Sequence, residues 1–188
     1  PFPRPTNTMI STMNSNWMIY GANGYTGRLL ASEARNQGLR PILAGRNPAE
    51  LQALAAELQL ECRVFDLQDR EASVQALQDV RVVAHCAGPF NATSQAMIDA
   101  CLASACHYLD ITGEIDVFAA CHGLDAEAQQ RGIVVLPGAG FDVVPTDCLA
   151  AILKLELPTA ESLVLAFDAP GGPSPGTTKT AVEGLGKG

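Results

Sequence analysis

Trp17-Met18-Ile19-Tyr20, then Gly21-Ala22-Asn23-Gly24-Tyr25-Thr26-Gly27, then Arg28-Leu29-Leu30 is the stretch from which the fold follows. An apolar run comes first, a turn with glycine at every third position follows, and Leu29, Leu30 and Ala34 then open a helical pattern. Strand, glycine turn and helix in that order form the setting in which a backbone grips a diphosphate. Gly21 permits the tight turn, Gly24 lets the chain approach the phosphates, and Gly27 lets helix and strand pack closely. The first helical N–H groups then face the anion, aided by the positive end of the helix dipole. The competing reading is a glycine-rich turn that holds nothing.

Outward from this unit the same alternation repeats. Apolar runs stand at Trp17–Tyr20, Pro41–Ala44, Cys62–Phe65, Val80–Cys86, His107–Ile111 and Ile133–Leu136. Helical spacing fills the intervals Tyr25–Asn36, Pro48–Leu58, Arg70–Leu77, Ala92–Ala105 and Asp116–Arg131. Asn47 suits a helix cap ahead of Pro48, with Glu50 at the third position. Gly38 and Gly132 stand where left-handed helix ends are expected. Short, non-alternating Val/Ile/Leu runs indicate strands covered on both faces. The expected fold is therefore α/β, a doubly wound parallel sheet of six or seven strands in the order 3-2-1-4-5-6.

Ligands of such sheets lie beyond the carboxyl ends of the strands, so the residues there are the candidates. The phosphate loop offers Gly21, Asn23, Gly24, Tyr25, Thr26 and Gly27. After the second strand, where a carboxylate would accept from a ribose 2′-OH, the chain has Ala44-Gly45-Arg46-Asn47. The Arg46 guanidinium suits a 2′-phosphate, which favours NADP over NAD; the alternative is a solvated surface arginine. Asp66 is either an acceptor for the adenine amino group or the cap of the next helix. Ala87, Gly88 and Pro89 form a small-residue turn past which a dinucleotide can run toward its nicotinamide. Asp110, Thr112 and Glu114 follow the fifth strand on the substrate side, as acid/base groups or as solvated loop residues. His85 reads as a core residue.

Composition narrows the function classes. The 188 residues are 47% hydrophobic, enough for a real core, and the net charge is −8 with lysine only at 154, 179 and 187, which argues against a nucleic-acid surface. No apolar run approaches the roughly 18 residues of a membrane span. Six cysteines contain no C-x-x-C pair, so Cys101, Cys106-His107 and Cys121-His122 read as free thiols and lone histidines rather than a zinc site. No metal is expected, and a reducing, cytoplasmic setting is the expectation.

The motifs GANGYTGRLL, AGRNP, HCAGPF, HYLDITGE and PGAGFDVVPTDCLA, in that order, resemble the saccharopine dehydrogenase-like oxidoreductases, in particular their trans-acting enoyl reductase branch. The resemblance implies a Rossmann NADP-binding domain followed by an α+β domain that supplies dimerisation and much of the substrate site. It points to Gly21, Gly24, Gly27, Arg46 and Gly88 as cofactor contacts and to a small-molecule substrate with a C=N or C=C bond. Residues 1–15 are rich in Pro, Thr and Asn without periodicity and read as a disordered leader. Family members are longer, so 16–157 is expected to be the cofactor domain and 158–188 the incomplete start of the second. Leu163–Phe167 reads as a further strand, and a helix is expected near Thr180.

Three functions compete at this level. One is an NADP-dependent oxidoreductase, and another is an NADP-binding module or redox sensor without turnover. The third, a short-chain dehydrogenase or epimerase, needs Tyr-x-x-x-Lys. The positions four after Tyr20, Tyr25 and Tyr108 are Gly24, Leu29 and Thr112, which makes it a poor fit.

Overall fold

In a computed structural model, which describes residues 16–141, 143–166 and 178, the strands are β1 (Trp17–Tyr20), β2 (Ile42–Gly45), β3 (Cys62–Val64), β4 (Val82–His85), β5 (His107–Asp110) and β6 (Val135–Leu136). They form one parallel sheet in the order β3-β2-β1-β4-β5-β6, as the alternation requires. Helices α1 (Tyr25–Asn36), α2 (Pro48–Leu58), α3 (Arg70–Leu77), α4 (Phe90–Ser104), α5 (Ile115–Gly123) and α6 (Asp125–Arg131) connect them, and α7 (Val144–Glu156) follows.

Alternate residues of the central strands feed two separate cores. Ile19 and Leu43 point to one face, where Ala31 of α1 and Leu51 and Leu54 of α2 cover them. Met18, Tyr20, Ile42 and Ala44 point to the other, against Leu77 of α3 and Met97 and Ile98 of α4. Helices thus lie on both faces, with α1 and α2 opposite α3 and α4. The chain reverses its direction of winding between β1 and β4, and the crevice of such a sheet opens there.

Local chemistry sets the helix ends. Asn47 caps α2 by accepting from the Glu50 amide at 3.4 Å, and Asp69 caps α3 from the Ala72 amide at 3.0 Å. Gly38 and Gly132 take the left-handed conformation, with φ of 79° and 68°. Gln59 and Ala105 do the same without being glycine.

The structure corrects several boundaries. The single helix expected over Asp116–Arg131 is two, because the chain turns at Leu124 after Gly123. Asp66 does not cap the next helix; Asp69 does. Helix α7, which Pro145 opens and Pro158 follows, buries none of its residues. Residues 163–166 form no strand: Leu163, Val164 and Leu165 are exposed, and among the described residues no neighbouring strand supplies a hydrogen-bonding ladder. Phe167, the helix start near Thr180, and residues 1–15 lie outside the described residues. Among the described residues no helix is long and apolar enough to cross a membrane.

Candidate functional site

The site begins where β1 ends. Gly21 leaves the strand at φ 79°, and the Gly21 and Ala22 amides both donate to the Ala44 carbonyl, at 2.8 and 3.1 Å. This bond pair bends the loop over the end of β2. A side chain at Gly21 would meet the Ala87 backbone at 2.8 Å, so the β1–α1 turn and the β4–α4 turn touch here. At Gly27 a side chain would collide with the Gly21 carbonyl and stand 2.8 Å from the Ala22 Cα. Those two glycines therefore serve packing. Gly24 differs: its φ of −72° is ordinary, and an added Cβ would meet only the Gly21 carbonyl, at 3.2 Å. It is exposed along with Tyr25 and Thr26, at the open end of α1.

The four helices that start at the carboxyl ends of β1 to β4 are not equivalent. Asn47 caps α2 and Asp69 caps α3. Pro89 stands at the cap of α4 without a capping side chain of its own, and Glu114 supplies the acceptor from the β5–α5 loop. Its Oε1 accepts from the Phe90 amide at 2.9 Å and its Oε2 from the Asn91 amide at 2.7 Å. No side chain caps α1. Its first amides and its dipole are thus the ones left for an anion, at the glycine whose missing side chain opens the approach.

One strand over, Arg46 is exposed and, among the described residues, makes no hydrogen bond or ion pair. The turn that carries it is fixed to the phosphate loop through Glu50. That carboxylate accepts from Asn23 Nδ2 at 2.8 Å and from Asn47 Nδ2 at 2.7 Å. Asn23 Oδ1 lies 3.0 Å from where a Gly45 side chain would begin, so Gly45 leaves room for this bridge. Sequence reading placed Glu50 only as a helix-capping position; its reach to Asn23 spans 27 residues and has no local signal. Asp66 is exposed beyond β3, with Oδ1 accepting from the Gln68 amide at 3.0 Å.

At the end of β5 the structure replaces the expectation. Asp110 is 1% exposed, so it is neither a solvated loop acid nor open to a substrate. Its Oδ2 accepts from the Tyr108 hydroxyl at 2.6 Å, and its Oδ1 from the Thr112 and Gly138 amides at 3.0 and 2.8 Å. Burial and the Asp110 charge push the Tyr108 hydroxyl far above the usual phenol range. Thr112 is also buried and accepts from the Glu114 amide at 3.0 Å. Asp110, Thr112 and Glu114 are therefore one relay that shapes the β5–α5 loop and delivers a carboxylate to α4.

His85, at the end of β4, lies fully buried among the rings of Tyr20, Phe90 and Tyr108. Thr93 Oγ1 donates to the Ala87 carbonyl at 2.8 Å, with the Pro89 carbonyl at 3.1 Å, so it accepts from His85 Nε2 at 3.0 Å. Nδ1 is then the bare nitrogen, and it has no partner among the described residues. Burial lowers the His85 pKa from 6.5 to about 3. Unfolded chains take up this proton near pH 6.5 and the folded protein does not, so the stabilising contribution is complete above that pH. It is lost as pH falls from 6.5 toward 3, at up to about 1.4 kcal/mol per pH unit. His85→Gln should flatten the acid limb of a plot of urea midpoint against pH; an unchanged slope between pH 4 and 6 would reject this.

The Cys86 thiol, half-buried at the crevice, is pushed up to about 12 by burial and then by the Asp110 charge. All six cysteines are free thiols. Among the described residues no three His, Cys, Asp or Glu side chains gather as a metal site.

Comparison with known proteins agrees with this geometry. Residues 17–136 match the family model described as the saccharopine dehydrogenase NADP binding domain. A human saccharopine dehydrogenase-like oxidoreductase is 23% identical over 90% of this chain and 46% of its own length. A Mycobacterium tuberculosis protein named as a trans-acting enoyl reductase is 28% identical over 69% of this chain and 33% of its own. The solved structure of apo saccharopine dehydrogenase (L-Glu forming) from Saccharomyces cerevisiae superposes with a TM-score of 0.64 at 20% identity. It shares the fold over 76% of this chain and 31% of that one. The chain thus spans between a third and a half of the length of the curated relatives it matches. With the matched segment running from the first strand to the sixth, the chain belongs to the saccharopine dehydrogenase NADP binding domain family.

Proposed function

We propose that this chain is the cofactor-holding part of an NADP-dependent oxidoreductase acting on a small molecule at a C=N or C=C bond. The observation that carries the reading is the uncapped start of α1 at Gly24, beside three neighbouring helices whose starts are already taken by Asn47, Asp69 and Glu114. The amides of the Tyr25–Gly27 turn would hold the diphosphate, and Arg46 the 2′-phosphate. The Ala87–Gly88–Pro89 turn would flank the nicotinamide. The bound cofactor supplies hydride chemistry; the chain holds and orients it. Six free thiols support a reducing compartment.

One observation favours the second reading, an NADP-binding module or redox sensor. The carboxylates at the end of β5 are both engaged with backbone amides, so neither stands free as a proton donor. NADPH oxidation with imine and enoyl substrates, set beside binding without turnover, separates the two.

Arg46 gives the selectivity test. Arg46→Ala should weaken NADPH binding by about 1.5–3 kcal/mol, the loss of a charge-assisted hydrogen bond, and leave NADH nearly unchanged. Calorimetric titration of both coenzymes checks it, and equal losses would reject the assignment.

A further inference from the structure

We infer that Glu114 is a positioning residue for the reactive end of the bound dinucleotide, acting through the β4–α4 turn, with Thr93 holding that turn from its other side. The inference rests on the cofactor reading above and gives Glu114 and Thr93 a role toward the bound dinucleotide that the reading does not assign.

The turn 86–89 has few means of holding its own shape. Gly88 has no side chain, Pro89 has no N–H, and Pro89 stands at a helix start that it cannot cap. Three external contacts replace what the turn lacks. Glu114 takes the Phe90 and Asn91 amides with both carboxylate oxygens. The Thr93 hydroxyl reaches back to the Ala87 carbonyl at 2.8 Å and is itself held by His85. The space that a Gly21 side chain would occupy is filled by Ala87, so the turn abuts the phosphate loop with no room to shift toward it. Any movement of the turn therefore runs away from the crevice, and Glu114 and Thr93 oppose it.

A second consequence concerns charge. The start of α4 opens beside the same crevice as α1, yet Glu114 neutralises it. A diphosphate is thereby offered one helix start instead of two, which fixes the direction in which the dinucleotide lies across the sheet. Removing the carboxylate would both loosen the turn and expose a competing anion site.

The test compares two probes on the purified chain. NADPH carries the nicotinamide; adenosine 2′,5′-bisphosphate carries the adenine and 2′-phosphate and lacks it. Glu114→Ala should weaken NADPH about three- to tenfold while leaving the bisphosphate unchanged. The emission of bound NADPH should also move toward that of the free coenzyme. Glu114→Gln, whose amide oxygen still accepts one of the two amides, should recover part of the loss. Thr93→Val, of similar shape, should reproduce the selective loss and serves if Glu114→Ala does not fold.

Equal weakening of both probes, or no change in either together with an unshifted emission, would overturn the inference for the variants that fold. Failure of the unmodified chain to bind either probe would instead sink the cofactor reading beneath it.

Discussion

Gly24→Val should leave the protein folded and remove binding of NADPH and NADH alike. The backbone at Gly24 has φ −72° and ψ 169°, an extended conformation open to any residue, and the one close neighbour of an added Cβ is the Gly21 carbonyl at 3.2 Å. Exchange of glycine for a β-branched residue at a helix cap costs about 1 kcal/mol. The valine would, however, stand between the α1 amides and the diphosphate. Loss of two amide–phosphate bonds at about 1.5–3 kcal/mol each amounts to roughly 100-fold or more in affinity. Gly27→Val provides the contrast. There the added side chain strikes the Gly21 carbonyl and the Ala22 Cα, so helix and strand must separate and stability falls by about 3 kcal/mol. Thermal melts and coenzyme titrations of the two variants should separate cleanly. A Gly24→Val protein that still binds NADPH would mean that the loop only turns the chain.

The second large effect concerns Asp110. Asp110→Ala strands the Tyr108 hydroxyl and the Thr112 and Gly138 amides inside the protein without their acceptor. Unpaired buried polar groups cost about 1–3 kcal/mol each, so the loss of stability should reach roughly 3–5 kcal/mol once the chain relaxes. Asp110→Asn retains an oxygen for the two amides, and its Nδ2 can donate to the Tyr108 oxygen, so it should lose only about 1 kcal/mol. Urea midpoints for the pair check this ordering. An alanine variant as stable as the original would contradict the structural role and return Asp110 to the acid/base candidates.

These two cases mark how far the residues can be read in one dimension. The bounds of α1, α2 and α3 coincide with the sequence expectation because their signals are local: a glycine turn, an Asn-Pro start, and a run bounded by polar residues. The sheet order follows as well, since parallel strands joined by right-handed crossovers leave few arrangements. Glu114 and Asp110 were legible as carboxylates near the site but not in their roles. Their partners, Phe90 and Gly138, lie 24 and 28 residues away, and no short-range pattern encodes such a bond. His85 was legible as core; its grip on Thr93 was not. Residues 163–166 have the composition of a strand, but composition alone cannot form one without a neighbour to pair with, and none stands beside them among the described residues.

On the proposed function, the open start of α1 takes a diphosphate while Arg46 selects the phosphorylated adenosine. Calorimetric titration of the unmodified chain with NADPH and then with NADH tests both halves at once. One-to-one binding of NADPH, at least tenfold tighter than NADH, is the expected result, in line with about 1.4 kcal/mol or more from one charge-assisted contact. No heat with either coenzyme, or equal affinity for both, would contradict it.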